Sequence, residues 1–252
     1  MKLGIVGAMP QEIDAIRECL HDPVIHHIGN REYYEGTLFG KEVVVVFSRW
    51  GKVAAASTAT LLIERFNTDV IVFTGVAGAA ATDLEIGDII IADNLIQHDI
   101  DASTTDMFRR FEVPLLGVSH FPANVRLSLL ARDAVETYIS SAIFQEEILP
   151  FLGAFRNGNP AIRLGTIGSG DQFISSAAKL AELREAIPGL QCVEMEGAAV
   201  AQVCFEYEIP CVVFRAISDK ANHAAPVDFI KFITSIASHY SLGFVKHFLE
   251  LL

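Results

Sequence analysis

The sequence has few cysteines, no metal-binding spacing, no excess of positive charge and no long apolar run. Its four cysteines, Cys19, Cys192, Cys204 and Cys211, form no CxxC pair. Reduced thiols in a cytoplasmic protein are expected, rather than a disulfide framework or a thiolate metal site. Eight histidines occur without HExxH or a related pattern, so neither a metal nor another cofactor is expected. A formal charge of −12 leaves no basic face for nucleic acid. The longest apolar stretch, Val70–Ala81, is broken by Thr74, Gly75 and Gly78. It falls well short of the roughly 20 residues a bilayer demands, so no membrane partner is expected. The opening Met1-Lys2 and the short apolar stretch that stops at Gln11 and Glu12 lack the long core and cleavage site of a signal peptide.

What is present is apolar and alternating. Hydrophobic residues make up 51% of the 252-residue chain, enough to cover both faces of a sheet. Lys2–Val6, Val70–Thr74, Asp88–Ala92, Ile162–Ile167, Cys192–Met195 and Cys211–Ile217 read as buried strands. Tyr33–Phe39 and Glu42–Phe47 read as a hairpin around Gly40, and the His26-His27 pair as half-exposed strand. Helices are expected from Pro10 to about Leu20, over Lys52–Phe66, Asn124–Ser140, Ser175–Ile187 and Gly197–Glu208, and over one long stretch from Asp228 to Leu251. Ser141–Pro160 reads as a surface excursion. With no repeat or linker, residues 1–252 form one α/β domain, a central mixed β-sheet flanked by helices.

Ligands of such sheets sit beyond the strand ends. Several strands deliver chemistry there: Met9 with Glu12, Gly75-Val76-Ala77-Gly78, Phe173-Ile174, Glu194-Met195-Glu196, and Arg215 through Ser218-Asp219. Each has a plain structural explanation. Glu12 complements a helix dipole, Glu194 and Glu196 share one face of a solvated strand edge, and Asp219 caps a turn. Gly75 and Gly78 make an ordinary turn, and Phe173 packs in the core. Arg215 is harder to explain this way, because a guanidinium inside an apolar strand must face a cavity, a carboxylate or an edge.

Together the segments resemble the purine nucleoside phosphorylase and nucleosidase superfamily, and within it the 5'-methylthioadenosine/S-adenosylhomocysteine nucleosidase family. The resemblance covers nearly the whole chain. It is carried by Gly4-Ile5-Val6-Gly7-Ala8-Met9-x-x-Glu12, Gly51-Lys52-Val53-Ala54-Ala55, Thr74-Gly75-x-Ala77-Gly78, Ile86-Gly87-Asp88 and His98-Asp99. It continues in Ser169-Gly170-Asp171-x-Phe173, Val193-Glu194-Met195-Glu196 and Arg215-Ala216-Ile217-Ser218-Asp219.

The resemblance implies hydrolysis of the N-glycosidic bond of 5'-methylthioadenosine and S-adenosylhomocysteine, and of 5'-deoxyadenosine, in methionine salvage and methyl-cycle recycling. Asp219, oriented by Ser218, would protonate purine N7, and Glu12 would activate water with Arg215 nearby. Glu196 would accept from the ribose hydroxyls and Met195 would pack beneath the sugar. Phe173 would stack on adenine, the Ile174 backbone would read its edge, Ala77 and Gly78 would line the base site, and Met9 would cover the 5' group. A homodimer is implied, with Phe108–Pro114 of one subunit closing its neighbour's pocket. Two departures bear on the 5' group. Val76 stands where the family often has serine, and Arg49-Trp50-Gly51-Lys52 replaces Gly-Ile-Gly-Lys.

Three alternatives remain. A 6-amino-6-deoxyfutalosine hydrolase would use the same carboxylates. A phosphorylase would need cations where Glu12 lies. A catalytically silent binding protein would have no use for an intact acidic trio.

Overall fold

A computed structural model describes residues 1–252. The chain runs β1 (Lys2–Gly7), α1 (Pro10–Glu18), β2 (His21–Ile28), β3 (Arg31–Leu38), β4 (Lys41–Phe47), α2 (Lys52–Phe66), β5 (Val70–Phe73), β6 (Val76–Ala79), β7 (Ile89–Gln97) and β8 (His120–Pro122). It continues through α3 (Val125–Ile139), α4 (Leu149–Leu152), β9 (Ile162–Ser169), α5 (Ala177–Ala186), β10 (Leu190–Glu194), α6 (Gly197–Glu206), β11 (Cys211–Asp219), α7 (Ala225–Ser235) and α8 (Ala237–Leu251).

The strands form one mixed sheet ordered β2-β3-β4-β1-β5-β11-β6-β10-β9-β7-β8. Strand β7 also pairs antiparallel with β11, so β11, β6, β10, β9 and β7 close into a ring. Period-2 alternation divides the core between the two faces. Leu3, Ile5, Val43, Val45, Val70, Val72, Val212 and Phe214 pack on one side, whereas Val44, Val46, Ile71, Phe73, Val213 and Ile217 pack on the other. Helices α1, α3 and α8 cover the first face, where Phe214 stacks on Phe244 at 4.3 Å, and α2 and α6 cover the second.

Local chemistry sets the helix ends. Pro10 occupies the first turn of α1, where its missing N–H costs nothing. Asn124 caps α3 by accepting from the Leu127 N–H at 3.1 Å. Asn67 ends α2 in the left-handed region at φ 53°.

Four expectations are revised. The final helix is two, broken at Ile236 (φ −130°), because α8 must lie along α1 and α3 while α7 leans on β11. The stretch 141–160 is not wholly a surface excursion: a π-helical turn, Phe144–Ile148, and α4 bury Phe144, Ile148 and Leu152. The residues around Gly78 form strand β6 rather than a turn. Strand β7 extends five residues beyond the expected Ala92, through a register shift between Ala92 and Asn94. The His26-His27 pair divides as expected: His26 rests on Phe66, and the His27 side chain is 73% exposed.

Candidate active site

The curl of the sheet decides where the site forms. Strand β10 runs against β6 and reaches the same cavity as the ends of β1 and β11, which a flat sheet would keep apart. The cavity is lined by Met9, Glu12, Ala77, Gly78, Phe173, Ile174, Met195, Glu196, Ser218 and Asp219 from the sequence reading. Ala8, Trp50, Val76, Gln172, Val193, Glu194 and Phe229 complete the wall. Its ionisable groups are all carboxylates, and no Lys, Arg or His lines it.

Glu12 is buried and held by three backbone N–H donors: Ala8 at 2.6 Å and Met9 at 3.0 Å on Oε2, and Val76 at 3.2 Å on Oε1. The Val76 contact uses the main chain, so the family's serine is not needed to hold this carboxylate. Burial raises the Glu12 pKa, opposed by the Arg215 charge and the three N–H groups. The net result is a carboxylate more basic than one in water, as a general base should be.

Asp219 accepts from the Ala221 N–H at 2.8 Å on Oδ1 and from Ser218 Oγ at 2.8 Å on Oδ2. Burial pushes its pKa up to about 6, against those two hydrogen bonds. Glu196 sits where the chain turns from β10 into α6, and its Oε1 accepts from the Gly51 N–H at 2.8 Å. Burial first, then the Glu194 charge, pushes it up to about 8. Three carboxyl groups in one apolar pocket thus have separate partners and separate affinities for protons.

Two glycines make room for them. A Cβ at Gly75 would lie 2.9 Å from Glu12 Oε1, and one at Gly78 would lie 2.9 Å from Asp219 Oδ1. The sequence reads this pair as an ordinary turn; in the fold it lets the carboxylates approach.

Arg215, expected near Glu12, stands behind the cavity rather than in its wall. It is 1% exposed and does not line the cavity. Its Nη2 and Nε donate to Glu194 Oε2 at 2.6 and 3.2 Å, its Nη1 donates to Phe73 O and Phe214 O, and its guanidinium lies 4.1 Å from the centre of the Phe73 ring. Burial, the largest single effect, works against this charge, yet the charge and hydrogen bond of Glu194, with the charges of Glu12 and Glu196, together keep the pKa raised. Glu194 also accepts from the Ser169 hydroxyl and from the N–H groups of Glu196 and Gly197. It is therefore the brace of the site rather than a solvated edge. The signal was present in the sequence as one buried arginine opposite two acids on one strand, but not which acid it would take.

The remaining motif residues support the wall. Asp99 accepts from Lys52 Nζ at 2.6 Å and from the Asp171 N–H at 2.8 Å, and Asp171 accepts from the Lys52 N–H at 2.8 Å. These bonds tie the start of α2 to the loop carrying Phe173. Asp88, from Ile86-Gly87-Asp88, binds Arg156 and the Ala161 N–H, away from the cavity. Phe111, expected to reach a neighbouring subunit, is instead 6% exposed and packs in its own chain with Ile174 and Leu180. Trp50, expected to bear on the 5' group, and Phe229, which carried no assigned role, both line the cavity.

A curled mixed sheet gathering buried carboxyl groups around one cavity is the architecture of a nucleoside-cleaving enzyme. The chain belongs to the phosphorylase superfamily, whose model matches residues 2–250. The 5'-methylthioadenosine/S-adenosylhomocysteine nucleosidase of Aeromonas salmonicida is 35% identical over 98% of both chains. The nucleosidase of that name from Neisseria meningitidis, solved with methylthio-immucillin-A, superposes with a TM-score of 0.88 at 31% identity, over 100% of this chain and 99% of that one. Futalosine hydrolase of Helicobacter pylori gives 0.85 at 32% identity, over 100% and 98%. Within the superfamily the chain falls among the 5'-methylthioadenosine/S-adenosylhomocysteine nucleosidases, and it is an N-ribosyl hydrolase.

Proposed function

We propose that this chain hydrolyses the N-glycosidic bond of 5'-methylthioadenosine and S-adenosylhomocysteine, releasing adenine and the 5-thio-substituted ribose. The observation that carries the reading is the buried trio Glu12, Glu196 and Asp219 around one cavity, each with its own hydrogen-bond partners. Adenine is a poor anionic leaving group, and the ribosyl carbon becomes cationic as the bond to N9 lengthens. Asp219, with a pKa of about 6, gives its proton to N7 while the bonding pair passes to the base. Water adds to C1' from the opposite side and loses its proton to Glu12, the geometry of opposed carboxyl groups used in glycoside hydrolysis. Glu196 accepts from the ribose hydroxyls over Met195. Phe173 stacks on adenine, and the backbone of Ile174 meets its edge. Arg215 acts from behind, through its charge on Glu12 and its bond to Glu194.

Water rather than phosphate is the acceptor in this reading, because a dianion would meet carboxylates and no cationic side chain at the wall. The reading includes a homodimer in the cytoplasm. It draws support from the exposed Met107 (74%) and Leu115 (94%), from the four free thiols, and from the lack of any helix long and apolar enough to cross a membrane. The test is adenine release from 5'-methylthioadenosine with and without phosphate, with the sugar product followed by NMR. Free 5-methylthioribose at a phosphate-independent rate is expected; a ribose 1-phosphate product would overturn the assignment.

A further inference from the structure

Helix α2 begins without a cap of its own. Its N-cap, Gly51 (φ 94°), has no side chain to accept from the first turn, and that turn holds no acidic residue. The orphan N–H groups are taken by carboxylates from distant segments. Gly51 N–H donates to Glu196 Oε1 and Lys52 N–H to Asp171 Oδ1, both at 2.8 Å. A Cβ at position 51 would lie 2.9 Å from Asp171 Oδ1, so glycine is what lets both acids approach. Glu196 is the group read as holding the ribose, and Asp171 sits just before Phe173, read as stacking on the base. The start of α2 therefore joins the sugar side of the cavity to its base side.

Asp99 closes the circuit. Its Oδ1 accepts from Lys52 Nζ at 2.6 Å and its Oδ2 from the Asp171 N–H at 2.8 Å, so Asp171 is held at both ends. Lys52 Nζ also donates to Gln97 Oε1 at 3.0 Å, and Gln97 passes the link to Gln202 on α6, the helix that starts just after Glu196. Burial raises the Asp99 pKa, but the Lys52 ammonium, the Asp171 N–H and the His98 charge together outweigh it and keep the group ionised at neutral pH. An isolated exposed ion pair is worth little. Here the Lys52 and Asp99 side chains are 17% and 18% exposed, and each bonds two partners in a closed network. None of Lys52, Asp99 and Asp171 lines the cavity, so their effect on a ligand must pass through Glu196 or the loop carrying Phe173.

We propose that Asp99 is a positioning residue that couples the two halves of the nucleoside site. Through Asp171 it sets the base loop, and through Lys52 it sets the Gly51 N–H on which Glu196 rests. The proposal rests on the nucleosidase reading for placing adenine at Phe173 and ribose at Glu196, and its test separates the two. The test is a double-mutant cycle read from binding. Calorimetry gives the affinity of the intact protein for adenine, and for an unreactive 5'-methylthio nucleoside analogue whose glycosidic bond is replaced by carbon–carbon. The proteins compared are the wild type, Asp99→Ala, Glu196→Gln and the double variant. Asp99→Asn, which keeps an oxygen for the Asp171 N–H but gives up the ion pair with Lys52, is measured alone and with Glu196→Gln in the same way.

Asp99→Ala should weaken adenine binding about 3-fold and analogue binding about 10-fold, because the analogue engages both sides of the site. In the Glu196→Gln background the same change should cost the analogue only about what it costs adenine. The two substitutions together should therefore cost about threefold less than the product of their separate effects. Asp99→Asn should show the same pattern at smaller size. An Asp99 that merely supports the fold would lower the competent fraction alike for both ligands, and its effect would multiply with that of Glu196→Gln. Equal losses for adenine and analogue, or multiplying effects, in both Asp99 variants overturn the proposal. Adenine release from 5'-methylthioadenosine is followed in parallel. Its absence in a wild type that binds the analogue counts against hydrolysis, while the cycle, which needs no turnover, still decides the coupling.

Discussion

Replacing Asp219 by asparagine removes one proton and almost nothing else. In the native site Oδ1 accepts from the Ala221 N–H and Oδ2 from Ser218 Oγ, both at 2.8 Å. An asparagine can place its oxygen on the Ala221 N–H and its amide toward Ser218 Oγ, whose own hydrogen then turns to Ala77 O, 3.3 Å away. Packing against Gly78 is kept, because the amide has nearly the carboxylate's size. The loss therefore measures acid catalysis. It should be roughly 10²–10⁴-fold in kcat/KM for adenine release, equivalent to about 3–5 kcal/mol of barrier.

The same variant should barely affect a riboside of p-nitrophenol, whose anion leaves unaided, whereas Glu12→Gln should slow both substrates because water must still lose a proton. A pH dependence follows from the raised pKa. The Asp219 carboxyl is protonated below about 6, so the wild-type advantage for adenine over nitrophenolate should decline as pH rises through about 6. In Asp219→Asn that ratio should be flat. The assay is kcat/KM for both leaving groups from pH 5 to 9. An identical leaving-group ratio in wild type and variant would refute the argument and leave Asp219 with a role in positioning the sugar or the fold.

Glu196 makes a prediction about stability. Its pKa is raised to about 8 in the fold, so its contribution to stability is fully present below its unfolded pKa and is lost as pH rises through about 8. Glu196→Gln, which keeps an acceptor for the Gly51 N–H, should gain Tm relative to wild type by about 2 °C or more between pH 5 and pH 9. A difference that stays constant across that range, measured by calorimetry, would place the raised pKa in error. For assembly, light scattering at micromolar concentration should give a dimer, and Leu115→Asp, which puts a charge on a side chain 94% exposed in the single chain, should weaken it. A fully active wild-type monomer would refute the shared pocket.

The sequence by itself determined the layered α/β plan and most of the residues around the cavity. Alternation in Val43–Val46 and in Cys211–Ile217 fixes which side chains face which helices, since a strand presents successive residues to opposite sides. Pro10 and the acid at Glu12 mark a helix start, and the apolar wall of β11 leads directly to Asp219. These are local signals, carried by neighbours in the chain. Partnership is not local. Whether Arg215 would take Glu194 or stand beside the substrate depended on the curl that sets β10 near β11, and on Ser169, Glu196 and Gly197 supplying the other bonds to Glu194. The purpose of Gly75 and Gly78 appears only when carboxylates from α1 and β11 arrive within 3 Å of where a Cβ would lie. Phe111 turned inward because α5 and the Ile174 segment offered it a core, and the last helix broke because its halves pack on different elements. Each depends on distances between segments far apart in sequence, and only the folded sheet sets those distances.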